Sequence, residues 1–239
     1  MQINFTQIIR DHKIHALKVL ESYIDTIMKS NPDTANKFCY WLEDYATFLS
    51  QENDFSPRQL KRYKRGEIIK AHLGFNIGSE EGGLHYCVVI DKKNALSSPV
   101  VTVVPLTSLK PGRDKRHMRQ GEVFIGYDFN RKLQDKASNL TKQTFEILEQ
   151  LNHNKIDDTN CIDILQRATE LISQSEKIAQ EITKIKEGSI ALVGQITTIS
   201  KMRIYTPKTT HDALANIKLS SGVLDKIDEE IMKNFIGIK

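Results

Sequence analysis

Apolar side chains recur at helical spacing through the first fifty residues. Ile9, Ala16, Leu17, Leu20, Ile24 and Ile27 form one stripe within Phe5 to Met28, and Ala35, Phe38, Trp41, Leu42, Tyr45, Phe48 and Leu49 form another. Between them the run Ser-Asn-Pro-Asp-Thr (30–34) breaks the period and offers side-chain oxygens to cap the second helix. Two amphipathic helices of this length predict a hairpin that cannot bury both faces by itself. Residues 53–57 read as the turn or linker out of it.

From Gly66 the pattern shortens to apolar runs at 68–71, 86–90, 100–104 and 123–125, punctuated by Gly, Pro, Asn and Ser. Such spacing predicts an antiparallel barrel or sandwich. The helical period then returns over 140–151 and 161–185, around the polar stretch 152–160, with Ile162, Leu165, Ile172, Ala179 and Ile182 on one face. A strand is expected at 190–199, and a last helix carries Leu219, Val223, Leu224, Ile227 and Ile231 behind Ser220 or Ser221 as cap.

Composition narrows the class. The 239 residues hold 39% apolar and 27% charged side chains, enough core for one large domain or two small ones. No run is long enough to span a membrane and the N-terminus lacks a signal-peptide pattern, so a cytoplasmic protein without a membrane partner is expected. Cys39, Cys87 and Cys161 lack paired spacing, which predicts reduced thiols rather than a disulfide framework or a zinc site. The histidines show no ligand spacing, so no metal is expected.

A net charge of +4 demands no nucleic-acid partner, but its distribution suggests one. Lys110, Arg113, Lys115, Arg116 and Arg119 fall within ten residues against a single Asp114. Arg58, Lys61, Arg62, Lys64 and Arg65 form a second run, with Tyr63 as a candidate for stacking on a base. Either run suits phosphate contacts or a solvated surface.

Four blocks then appear in order. They are Gly66-Glu67; Gly78-Ser79-Glu80-Glu81-Gly82-Gly83 leading into Val88-Val89-Ile90; Ser98-Pro99 through Leu106-Thr107-Ser108; and Val193, Gln195-Ile196, Thr198-Ile199, Lys201 and Arg203. Together they resemble the MazF/PemK endoribonuclease toxins. The resemblance spans roughly 65–128 and 188–238. It implies a small SH3-like antiparallel β barrel of the MazF/PemK/CcdB type with a C-terminal helix; with the helical patterns outside it, the expected fold is α+β, a helical hairpin at 1–60 followed by a barrel domain at 61–239 that is interrupted by a helical insertion at 131–187. It further implies a homodimer, a groove for single-stranded RNA along the dimer interface, and an antitoxin able to occupy that groove.

The resemblance also assigns chemistry. In the family an Arg opening the second strand and a Thr ending the third act on the scissile phosphate. Thr107 matches the Thr, with Ser108 beside it, whereas His85 stands at the Arg position. A histidine titrates with a reference pKa of about 6.5, so it suits a proton-transfer role that a permanently charged Arg does not. RNA cleavage without a metal needs a base for the ribose 2′-hydroxyl, an acid for the leaving 5′-oxygen and donors for the growing phosphate charge. His85 fits the first or second role, and Thr107 and Ser108 fit the third. Lys110, Arg113, Lys115, Arg116, Arg119 and Arg203 are the expected RNA contacts, joined by Gln195 on the strand the family places beside the groove.

Glu80 and Glu81, being adjacent, diverge and do not flank one bond as a glycosidase pair. The glycine loop lacks the Lys and Ser/Thr of a phosphate-binding loop, so no nucleotide cofactor is expected. Two other readings stay open here. One is a catalytically silent nucleic-acid-binding or regulatory module, and the other a CcdB-like toxin that binds DNA gyrase.

Overall fold

The computed structural model describes residues 5–153, 158–185 and 188–237, and side chains within 150–161 lie outside the description. The chain divides into two compact units between Phe55 and Ser56.

The first unit is a helical hairpin of α1 (Phe5–Ser30) and α2 (Pro32–Gln51). Asn31 caps α2 by accepting the Thr34 N–H at 3.1 Å, and Pro32 occupies the first turn, where no N–H is needed. Leu20, Ile24 and Ile27 are half-buried on α1, while Ala35 and Phe38 are buried on α2. Tyr23 and Phe38 meet edge to face, 5.6 Å between ring centres. Farther from the turn, Ile9 and Leu17 of the α1 stripe stay exposed. The expected linker consists of two 3-10 turns, Glu52–Asp54 and Pro57–Gln59.

The second unit is an antiparallel sheet with helices. Its strands are β1 (Ile68–His72), β2 (Leu84–Val89), β3 (Val100–Ser108), β4 (Glu122–Gly126), β5 (Ser189–Leu192), β6 (Thr197–Ser200) and β7 (Ile204–Thr206). They run β4-β5-β3-β2-β1-β7, with β6 on β3 beside β5. This path is open between β4 and β7, so the fold is a mixed α+β one whose described pairings do not close a ring.

The expected strand at 190–199 is split. β5 pairs with Leu106–Ser108 at one end of β3 and β6 with Val100–Val103 at the other, with a 3-10 turn at Val193–Gln195 between. Gly194 makes the break possible: its N–H donates to the Gly121 carbonyl at 2.9 Å. A side chain on Gly121 would meet the Gly194 backbone at 3.0 Å. β3 is longer than its apolar run because it serves β2, β5 and β6 together.

Helix α3 (Asp128–His153) starts well before the expected Leu140, and α4 (Asp158–Lys184) follows it. The early start is anchored by Asp128, whose carboxylate accepts the Ser220 N–H at 2.8 Å and pairs with Arg131 at 2.6 Å. Polar residues between Asn130 and Asn139 hide the stripe Phe129, Leu133, Leu140 from a pattern reading. Helix α5 (Ser221–Ile231) begins as expected.

Alternate residues of each strand face different cores, as a pleated strand requires. Ile68, Val88, Val104 and Leu106 pack with Phe129 and Leu133 of α3, Ile178 of α4 and Ile227 of α5. Ile69, Cys87, Val89, Val103 and Ile204 pack on the other side with Tyr63. Cys39 and Cys87 are free thiols, and burial pushes the Cys87 thiol far above its usual value. No described helix is long and apolar enough to cross a membrane.

Candidate active site

The glycine loop between β1 and β2 is a built structure. Gly83 donates to the Gly74 carbonyl at 2.6 Å and Leu73 to that of Gly83 at 2.7 Å, closing the neck of the loop. At Gly82 an added Cβ would lie 2.8 Å from the Gly74 carbonyl oxygen, and Gly83 has φ +82°, so neither position suits a side chain. Asn76 donates to the Glu81 carbonyl at 2.7 Å.

Gln195 clamps the same loop from the turn after β5. Its Oε1 accepts the Glu81 N–H at 3.3 Å and its Nε2 donates to the Ser79 carbonyl at 3.1 Å. Both ends of the Gln195 amide thus hold backbone.

The loop delivers His85 to the start of β2. Pairs Cys87–Pro105 and Val88–Val104 set the register between β2 and β3, and continuing it two residues brings His85 opposite Thr107. A cavity of about 320 Å³ opens there, with His85, Tyr86, Thr107, Ser108 and Lys110 in its wall. The three residues assigned to catalysis therefore share one concave site, half-buried and beside an exposed lysine.

His85 has two oxygen neighbours. Glu81 Oε1 lies 3.1 Å from Nε2, and the Leu106 carbonyl lies 3.4 Å from Nδ1. Glu81 is a residue the sequence reading set aside. Its signal was the four-residue spacing to His85 across Gly82-Gly83, which a turn makes short.

Tyr86 ties the site to the helical insertion. Its hydroxyl donates to Glu181 of α4, its ring stacks edgewise on Phe129 at 5.1 Å, and the Lys70 ammonium sits 5.1 Å above it. Burial and the Glu181 partner push the Tyr86 hydroxyl far above its usual range. For Glu181, burial raises the carboxyl, but hydrogen bonds from Lys184 and Tyr86 and the charge of Lys70 outweigh it and hold it below the usual value.

The basic segment is largely bound to itself. Arg113 pairs with Glu122, and Arg116 and His117 both turn to Asp114, at 3.5 and 2.7 Å. The Asp114 carboxyl is lowered, first by the Arg116 N–H and then by His117. Lys115 donates to the Tyr127 hydroxyl at 2.9 Å. Lys110 and Arg119 are exposed. Arg203, beyond β6, is half-buried and donates from Nε to the His72 carbonyl at 2.8 Å.

In the other basic run Lys61 and Arg65 are held by carboxylates while Arg58, Arg62 and Lys64 are exposed, and the stacking role expected of Tyr63 is corrected. Tyr63 is 1% exposed and donates to the Pro207 carbonyl at 2.7 Å, so no base reaches its ring. Lys61 pairs with buried Glu67 at 2.5 Å, and Arg65 bonds the Ile90 carbonyl and Asp228. Among the described residues no group of three or more His, Cys, Asp or Glu is placed to hold a metal ion.

Residues 64–160 match the family described as PemK-like, MazF-like toxin of type II toxin-antitoxin system. The matched segment belongs to the PemK/MazF toxin family. This PemK-like segment contains the glycine loop, His85, Thr107, Ser108 and the basic loop, while Gln195 and Arg203 follow it in the chain. The match of this segment points to the toxin of a type II toxin–antitoxin system. No individual curated protein matches the chain at a significant level.

Proposed function

We propose that the chain is the toxin of such a pair and acts as a metal-independent, sequence-specific endoribonuclease on single-stranded RNA. The observation that carries this is the cavity that brings His85, Thr107 and Ser108 together within a PemK-like segment. In this reading the sheet corresponds to the family's SH3-like barrel, two copies pair to form the RNA groove, and an antitoxin blocks it. The helical hairpin at 1–60 and the helical insertion at 131–187 are additions to that barrel.

The chemistry is a transphosphorylation. His85 takes the proton of the ribose 2′-hydroxyl as the O2′–P bond forms, and passes the same proton to the 5′-oxygen as the P–O5′ bond breaks. The hydroxyls of Thr107 and Ser108 and the Lys110 ammonium meet the negative charge growing on the phosphate. Products carry 2′,3′-cyclic phosphate and 5′-hydroxyl ends. Lys110 and Arg119, exposed, contact flanking phosphates; Arg113, Lys115, Arg116 and Arg203 contribute field from their paired positions.

Purified protein incubated with a long single-stranded RNA in EDTA tests this directly. Cuts with those ends are expected, falling about a hundredfold or more in His85→Ala, the range of a positioned acid or base. A loss under about threefold would remove His85 from the chemistry. RNA that is bound with steep salt dependence but left intact from about pH 5 to pH 9 would instead mark a binding module, the reading favoured by His85 standing at the family's Arg position.

A further inference from the structure

Resting on that nuclease reading, we propose that Tyr205 and Lys70 form a stacking subsite for an RNA base that flanks the cleaved bond. A cleaved phosphodiester has nucleotides on both sides. The cavity opens where β2 meets β3, and the exposed cations Lys110 and Arg119 belong to the segment that joins β3 to β4, on one side of it. On the other side come β1 and then β7, the last strand of the sheet.

A bulge sets Tyr205 there. Lys70 lies opposite Thr206 and Ala71 opposite Ile204, so Tyr205 is the extra residue of β7. Bulges at sheet edges re-aim a side chain. Ile204 is buried with Tyr63, whereas the Tyr205 ring is 65% exposed. Its inner neighbour is the Lys70 ammonium, 6.0 Å from its ring centre and 5.1 Å from that of Tyr86. Because Tyr86 also stands in the wall of the cavity, one cation links the catalytic site to the exposed ring.

An exposed ring on a paired strand presents a π face that any base can cover, and a cation beside it meets backbone phosphate. Two strand spacings, roughly 10 Å, separate β7 from β2, so the base is one close to the cleaved bond. Glu181 faces the same group, but it accepts the Tyr86 hydroxyl and pairs with Lys184 at 2.7 Å. Two ammonium groups thus stand against one carboxylate, which favours an anionic strand. Tyr205 takes the stacking role that burial denies to Tyr63.

The test is an abasic scan. Short single-stranded RNAs spanning one cleavage site, each lacking a single base, are cleaved by wild type, Tyr205→Ala and Tyr205→Phe. For wild type, one abasic position near the cut should raise KM about tenfold, the scale of one base–ring stack, with kcat little changed. Tyr205→Ala should show that loss already on intact RNA and none further at that position, while Tyr205→Phe, which keeps the ring, should match wild type. Lys70→Gln should lower the slope of log binding constant against log salt by about 0.7. A wild-type KM in Tyr205→Ala, or undiminished sensitivity to the abasic position in that variant, would overturn the proposal. If the wild-type protein cuts no RNA, the nuclease reading fails by itself. The same scan, read as binding of 2′-O-methyl RNA by fluorescence anisotropy, then still decides whether Tyr205 holds a base.

Discussion

Tyr86→Phe removes one oxygen and little else, which makes it the sharpest probe of how the helical insertion is fastened to the active-site strand. The ring keeps its edge contact with Phe129 and its place under Lys70, so the change isolates the hydroxyl bond to Glu181. A hydrogen bond to a charged group contributes about 1.5–3 kcal/mol. The site is half-buried, and Glu181 keeps Lys184 at 2.7 Å after the change, so the low end, about 1.5–2 kcal/mol, is expected. With a urea m-value of about 2 kcal/mol/M that is a midpoint shift near 1 M.

Trp41 is the chain's single tryptophan and sits in the N-terminal hairpin, so its fluorescence reports the other unit. Urea unfolding is better followed by hydrogen exchange at β2 and α4 amides. A double-mutant cycle with Glu181→Gln should return a coupling close to the single loss, because the two side chains share one bond. A loss under about 0.3 kcal/mol, or additive effects in the cycle, would show that the Tyr86–Glu181 bond does not fasten the insertion to β2.

Gln195→Leu deletes both loop clamps, worth about 1–3 kcal/mol of loop order; RNA cleavage should drop at least tenfold with the melting of the sheet unit little changed, and equal activity would refute the clamp. Lys110→Ala and Arg119→Ala should each reduce the slope of log binding constant against log salt by about 0.7, the single-strand value per phosphate contact, in a titration against short RNA. Acid should destabilise the second unit. For Asp128, burial raises the carboxyl while the Ser220 N–H and Arg131 lower it further; Asp212, held by the Thr209 and Lys208 N–H groups against burial, and Glu181 are likewise lowered. Each contributes stability above the unfolded carboxyl value of about 4 that is lost as pH falls through the lower folded value, so urea midpoints should be level above about pH 5 and fall below about pH 4.

Much of this molecule is legible in the order of its residues. Helical and alternating periods mark α1, α2, α5 and most strands, because burial on one face imposes a spacing that local chemistry alone can express. The glycine loop and Thr107 announce themselves by motif, since a tight loop leaves few residue types at each position. Other features depend on partners distant in the chain. The break after β5 exists because Gly194 meets Gly121, and α3 starts early because Asp128 finds Ser220. Tyr63 looks like a stacking ring beside basic residues until the fold buries it on Pro207. Gln195 and Glu81 show the same division at the site: each is plain in the sequence, but a clamp and a carboxylate–imidazole pair are relations between atoms. Periodicity records which side of an element is buried, and only the folded chain decides which polar atoms meet there.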